Sequence, residues 1–504
     1  MDLQPAAAAA MGGTTINLSL VSHTNVGKTT LARTLLGRDI GEVRDAAHVT
    51  DIASGHVLVQ ADGDTLMLWD TPGFGDTARL LDRLRMSGNP IGWLLSQVWD
   101  RWRERPLWSS QQAVKNAREQ ADVILYLVNA AEDPAAASYI PLEMDVLAWV
   151  GKPVVVLLNQ VGPPREDGAA DSDRWTGLMR QHPHVRAVLP LDAFARCWVQ
   201  EGVLLGQIAP LLDVAKRPAM ERLTARWTQL NQDRFRASMA VLASHLGETL
   251  RDREELGEGD WRDGLARALG AGSAEAATAR RAMAALSDRL ASGTRTSTDA
   301  LIALHGLSGS ATRLVLDRLD RDFRRSEKAP EGASAIFGGL ASGAVTGLAA
   351  DAMAGGLTLG GGMIVGGILG ALSAAGIARG VNLARGENSN QVRWSEAAFA
   401  DLFGAALLRY LAVAHFGRGR GAWEEGELPP FWQEHVSAVV DQHKAALTAL
   451  HTAASRGDAA QTDAALADLF QRAGGALLAR LYPQAEVTAA LGRASSLADP
   501  RAGG

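Results

Sequence analysis

Three short stretches carry the residue types that phosphate chemistry needs. The first, SHTNVGKTT at positions 22–30, ends in Gly27-Lys28-Thr29. It follows the pattern G-x-x-x-x-G-K-[ST], with Ser22 in the first glycine slot. In that pattern the backbone N–H groups of the loop and of the following helix start, here Ser22, Asn25, Val26, Gly27 and Thr30 among them, cradle phosphate oxygens. Lys28 then reaches the β- and γ-phosphates and the Thr29 hydroxyl binds Mg²⁺. The second stretch is LMLWDTPGFGD, in which Asp70-Thr71-Pro72-Gly73 follows an apolar run. An aspartate there can hold the Mg²⁺ shell, and the Gly73 N–H can sense a γ-phosphate. The third is Thr50 in HVTDI, 20 residues before Asp70. A threonine at that distance is the candidate that closes over γ-phosphate and Mg²⁺ in a first switch. Lys28, Thr50 and Gly73 are therefore the catalytic candidates, and Thr29, Thr50 and Asp70 the Mg²⁺ ligands.

These residues need a scaffold that brings loop ends together. Six short apolar runs supply it: INLSLV (16–21), HVLVQ (56–60), TLMLW (65–69), DVILYLV (122–128), PVVVLL (153–158) and VRAVLPL (185–191). Runs this short and this apolar suit strands covered on both faces by helices. Alternation with helical stretches predicts a doubly wound α/β domain with a mostly parallel sheet over residues 14–214. The first 13 residues, with a short alanine run and no basic start, read as a disordered tail and a poor signal peptide.

With SHTNVGKTT, Thr50 and DTPG in this order, residues 14–214 resemble the Era and TrmE branch of small GTPase domains. The resemblance implies a P-loop GTPase fold, GTP and GDP as ligands, Mg²⁺ as cofactor, and pairing into a homodimer across the nucleotide face. It aligns Asn25 with an asparagine that helps bind a monovalent cation in potassium-activated relatives, which makes K⁺ dependence an expectation. It also puts Phe74 where Ras-like GTPases carry a water-orienting glutamine, so hydrolysis must rely on something else. For base recognition the family has Asn-Lys-x-Asp, and this chain has Asn159-Gln160-Val161-Gly162. Asn159 and Gln160 remain nucleotide-binding candidates, but the carboxylate that pairs with guanine is missing. Asp192, next to Ala193 in the later loop, could replace it or could be a surface or capping residue. GTP is the expected ligand, with ATP or relaxed specificity left open. The whole arrangement, including LLNQVGPPR and LPLDAFARCWVQE, is similar to bacterial GTPase-domain proteins with a helical C-terminal domain of unknown function.

After residue 214 the pattern becomes helical. Leu223, Trp227, Leu230, Phe235, Met239, Leu242, Leu246 and Leu250 recur mostly at three- and four-residue steps and predict one buried helical face. Residues 215–332 and 381–504 read as two parts of a helical domain. Between them, 333–380 is rich in alanine and glycine, with Gly339, Gly343, Gly347 and again Gly362, Gly366, Gly370 at four-residue spacing. Asp351 separates uncharged arms of 18 and 27 residues, and Arg324, Arg325, Lys328, Arg379 and Arg385 flank the segment. Arms of that length approach or reach a bilayer crossing, and basic ends place both termini in the cytoplasm. The expectation is a glycine-zipper hydrophobic hairpin on the cytoplasmic face of the inner membrane, with lipid and an integral-membrane protein as partners. A small-residue helical pair inside a soluble, cytoplasmic domain is the alternative. The Trp-rich stretch with Trp93, Trp99, Trp102 and Trp108 is expected to pack against the helical domain.

The formal charge of −6 gives no electrostatic reason to expect nucleic-acid binding. The lone Cys197 excludes an internal disulfide framework and reads as a small buried side chain. Two functions fit: a slow Mg²⁺-dependent GTPase whose switches control a membrane-bound helical domain, or a nearly inactive nucleotide-binding module acting as a membrane scaffold or pore-like assembly.

Overall fold

The computed structural model describes residues 13–37, 53–75, 77–85, 105–159, 168–191, 197–255, 274–307, 391–394, 396–415, 430–454, 459–483 and 485. Thr50, Gln160, Gly162, Asp192, Ala193, the 1–12 tail, Trp93, Trp99, Trp102 and the whole 333–380 segment lie outside them. The chain divides into two compact units, the first running to Gln232 and taking in 415–421, the second holding the rest.

All six apolar runs form strands: β1 Thr15–Ser22, β2 Ser54–Ala61, β3 Asp64–Asp70, β4 Val123–Asn129, β5 Val154–Asn159 and β6 Val185–Pro190. They make one sheet in the order β2-β3-β1-β4-β5-β6. β1 pairs in parallel with β3 and β4, and β4–β5 and β5–β6 are also parallel. β2 is antiparallel to β3. The two are joined through Asp62-Gly63, both at positive φ, the residue pair that a two-residue hairpin turn favours. β5 is buried along its entire length and β4 nearly so, as strands with helices on both faces must be. The helices of this unit are α1 Lys28–Leu36, α2 Thr77–Arg85, α3 Arg105–Glu119, α4 Tyr139–Val150, α5 Gly168–Met179 and α6 Trp198–Ile208. On one side of the sheet Tyr126, Val128, Val156 and Leu158 pack with Leu80, Val114, Ile140, Leu147 and Trp175. Trp108, on α3, packs against this core of its own unit. For this tryptophan that corrects the expected packing against the helical domain: α3 turns Leu107, Ala113, Val114 and Ala117 toward the sheet and carries Trp108 along.

A long helix, α7 Arg217–Arg251, runs out of the first unit into the second. Its start is fastened to the sheet: Lys216 Nζ lies 2.8 Å from both Asp122 carboxylate oxygens, and Arg222 bonds Asp64 at 2.6 Å. Seven of the eight predicted apolar positions on α7 are buried, but Leu230 is 41% exposed. Asn231 takes its place on the buried face, its amide donating to the Trp227 carbonyl at 2.9 Å. A polar residue on the stripe is invisible to a hydrophobic pattern.

The second unit contains α8 Ala274–Leu304, α9 Glu396–Ala414, α10 Pro430–Gln442, α11 Lys444–Ala454 and α12 Ala459–Leu481. Beside the mostly helical pattern it also contains a short antiparallel pair, β7 Arg253–Glu255 with β8 Gln391–Arg393. Among the described residues α9 alone is long and apolar enough to cross a membrane. Its Phe399, Phe403, Leu407, Tyr410 and Leu411 are buried inside this unit. Phe403 meets Phe470 with ring centroids 4.4 Å apart, and Tyr410 meets Phe235 edge-on at 5.6 Å.

Candidate nucleotide site

The carboxyl ends of β1, β3 and β5 converge where a doubly wound sheet places its ligand. β1 ends at Ser22, and α1 begins at Lys28 with its first backbone bond from Leu31 N–H to the Gly27 carbonyl, 2.9 Å. The loop between them needs two residues at positive φ, Asn25 at 65° and Gly27 at 95°. Asparagine tolerates this better than most side chains, and glycine adopts it without strain. Gly27 is also constrained from outside, since a Cβ there would stand 3.0 Å from the Asn159 amide nitrogen. That amide donates to the Val26 carbonyl at 2.8 Å. Asn159 thus ties the end of β5 to the phosphate loop.

Lys28 is 7% exposed. Its ammonium donates to the Ser22 hydroxyl at 3.0 Å and approaches the His23 carbonyl at 3.4 Å. Serine in the glycine slot is therefore compatible with the loop, and its hydroxyl donates on to the His23 carbonyl at 2.5 Å. Burial lowers the Lys28 pKa from 10.5 to about 8, with the Asp70 and Glu143 carboxylates offsetting part of the fall. The Thr29 hydroxyl donates to Asp70 Oδ2 at 2.7 Å. Asp70 Oδ1 is buried with no hydrogen-bond partner. Burial raises the Asp70 pKa, opposed by the Thr29 hydrogen bond and by the charges of Lys28 and Arg33. A buried carboxylate oxygen without a donor is costly unless a cation serves it. Thr29 and Asp70 therefore fit a hard, oxygen-binding cation such as Mg²⁺. Thr30 sits buried in the first turn of α1.

The DTPGF segment lies directly on the loop. The Phe74 N–H donates to the Ser22 carbonyl at 2.9 Å, and the Thr24 N–H donates to the Phe74 carbonyl at 3.2 Å. A Cβ at Gly73 would fall 2.9 Å from Thr24 Cα and 3.0 Å from Lys28 Nζ, so only glycine lets the two segments approach this closely. Phe74 is fully buried in the sheet core. Its ring packs with that core and, being phenyl, carries no hydrogen-bonding group.

Pattern reading missed a cluster beside the loop. Glu143, fully buried on α4, meets His23, Thr77 and Tyr126. Its signal was present: in YIPLEMDVLAWV it is an acid on the same helical face as Ile140 and Leu147. A charge in an apolar stripe is unusual enough to mark.

A family model described as 50S ribosome-binding GTPase matches residues 17–160, and one described as Domain of unknown function (DUF3482) matches residues 180–472. GTPase Era of Heliobacterium modesticaldum is 22% identical over 247 residues, which cover 46% of this chain and 71% of that protein. Era of Aquifex aeolicus bound to GDP·AlF4⁻ is a similar solved structure, at 20% identity and a TM-score of 0.28, covering 40% of this chain and 57% of that one. Era in complex with MgGDPNP and nucleotides 1506–1542 of 16S ribosomal RNA is another, at 20% identity and a TM-score of 0.29, covering 40% and 58%. The chain spans a little over half the length of these two solved structures. The first unit has the P-loop GTPase fold, seen in its strand order and in the match over residues 17–160. Because the second model covers more than half of the 504 residues, the chain belongs to the family described as Domain of unknown function (DUF3482).

Proposed function

We propose that this protein binds GTP with Mg²⁺ and hydrolyses it slowly, and that the nucleotide state is passed to its helical C-terminal region. The observation that carries this is the pair Thr29–Asp70, 2.7 Å apart, with the second Asp70 oxygen buried and unpartnered in the same unit as the buried cation of Lys28. Such a set has little use except to hold a divalent cation and a polyphosphate. Lys28 would neutralise β- and γ-phosphate charge, and Thr29, Asp70 and Thr50 would hold the metal. Bound Mg²⁺ would supply charge stabilisation across the β- and γ-oxygens. The loop N–H groups from Asn25 to Thr30 would position the phosphates, and the Gly73 N–H would meet the γ-phosphate. GTP is preferred to ATP because a GTPase model matches residues 17–160. Asp192 is the carboxylate proposed to read the base with Asn159, Gln160 and Ala193. Asn25 is proposed to contact a K⁺ ion, and turnover equal in sodium and potassium would exclude that.

The test is a panel of GTP, ATP and XTP binding and turnover on the full chain, with Lys28→Ala and Asp192→Ala. GTP turnover lost in Lys28→Ala, and selectivity relaxed in Asp192→Ala, are the expected results. Phe74, buried where a water-orienting side chain would be needed, favours a second reading, in which binding matters and turnover is nearly absent. A Lys28→Ala chain that keeps its cellular role would select that reading. Residues 333–380 are proposed to associate with the inner membrane on their uncharged length, and pairing through the nucleotide face is proposed on the Era-like character of the domain. The Era relative above was solved with ribosomal RNA. For this chain the −6 charge argues against an RNA partner, and a gel shift with a ribosomal RNA fragment tests it.

A further inference from the structure

Glu143 is buried at zero exposure, yet nothing in a doubly wound fold asks for an acid on the inner face of α4. Its neighbours Ile140, Met144, Val146 and Leu147 are core residues, so an apolar side chain would pack there. A buried carboxylate is tolerated only when donors surround it, and here three do. Oε1 is shared by His23 Nδ1 at 2.7 Å and the Thr77 hydroxyl at 3.2 Å. Oε2 accepts from the Tyr126 hydroxyl at 2.6 Å. Facing a carboxylate acceptor, His23 presents Nδ1–H.

The donors come from three places that matter differently. Tyr126 lies on β4, in the middle of the sheet, and fixes the carboxylate to the core. His23 belongs to the phosphate loop, and its ring also stacks on Tyr139 of α4 with centroids 4.4 Å apart. Thr77 opens α2, directly after the DTPGFGD segment, and its N–H donates to the Gly75 carbonyl at 3.0 Å. One carboxylate oxygen therefore joins the loop that would hold the phosphates to the segment that would sense the third of them. Gly73 presses on Thr24 and Lys28 with no room for another atom, so a γ-phosphate entering there must displace the DTPG segment. Thr77, four residues on, would be carried with it, while His23 stays on the loop.

We propose that Glu143 is a positioning residue that couples the phosphate loop, through His23, to the second switch, through Thr77, and so sets the discrimination between nucleoside triphosphate and diphosphate. This rests on the nucleotide reading of the site. A merely structural Glu143 would affect both nucleotides alike; a coupling Glu143 affects the triphosphate alone.

The experiment measures binding of fluorescent GDP and of a non-hydrolysable GTP analogue, with Mg²⁺, to the full chain. Wild type is compared with Glu143→Gln, Thr77→Val, Thr77→Ser and, as a control, Ser19→Ala, which removes a buried hydrogen bond to Asn116 outside the network. Because the Thr77–Glu143 bond would be broken as the triphosphate enters, Glu143→Gln and Thr77→Val should leave GDP affinity unchanged and raise analogue affinity about five- to tenfold. Thr77→Ser, which keeps the hydroxyl, should restore discrimination, and Ser19→Ala should lower thermal stability without altering it. Should Glu143→Gln not fold, the Thr77→Val and Thr77→Ser pair decides. Equal changes for both nucleotides, a fall in analogue affinity alone, or wild-type discrimination in Thr77→Val, overturn the coupling alone. A wild-type chain that binds neither nucleotide overturns the site reading and the coupling with it.

Discussion

At the scale of single residues, Lys28 exposes the electrostatic cost of burying an ammonium group in the loop. Its folded pKa, about 8, lies below the ordinary lysine value of 10.5. The unfolded chain then binds the proton more tightly, and stability rises with pH between about 8 and 10.5. Below that window both states are protonated and the full penalty, about 3 kcal/mol, is present. Urea unfolding without nucleotide, as the difference between wild type and Lys28→Met, should rise by about that amount across the window. A flat difference would show that the buried ammonium carries no such penalty. Lys28, Thr29, Asp70 and Asn159 were marked as candidates by the short motifs in which they sit. Glu143 was not, because its donors arrive from positions 23, 77 and 126 and only folding brings them together.

At the scale of elements, the junction between the phosphate loop and the DTPG segment rests on Gly73. Gly73→Ala would place a methyl against Thr24 and Lys28. Displacing the loop from the phosphates by even part of an ångström should cut GTP turnover about ten- to a hundredfold, read by phosphate release. In the helical unit, α9 is held by its buried face. Phe403→Ala, which removes the contact with Phe470, should cost about 3–5 kcal/mol in denaturant unfolding. The four inner strands were legible because a strand buried on both faces must be apolar throughout, and the edge strands β2 and β6, only half-buried, were legible as short β-rich runs. The β7–β8 pair was not, since REE and QVR carry no strand pattern and depend on partners more than 130 positions apart. Arg289 braces that pair through Asp252 at 2.8 Å and Glu254 at 2.6 Å.

At the scale of the whole molecule, composition alone speaks for membrane association, and it speaks through 333–380. The apolar helix α9 is a poor substitute, because its hydrophobic face is already used inside the helical unit. Full-length protein mixed with anionic liposomes should float with them, and a chain lacking residues 333–378 should stay at the bottom of the gradient. Flotation of both chains, or of neither, would remove residues 333–378 as the membrane element.

The sequence by itself determined the α/β class, the six strands, the phosphate loop with its lysine and threonine, and the aspartate after β3. Each depends on short-range spacing, in which the residue type and its neighbours already state the chemistry. Only the tertiary structure decided that Ser22 accepts from Lys28, that Asp70 keeps one bare oxygen, that Phe74 is a core residue, and that Asn231 replaces Leu230 on the buried face of α7. The physical reason is common to all four. Burial and hydrogen-bond satisfaction depend on which distant segments close over a residue, and no periodicity along the chain encodes that.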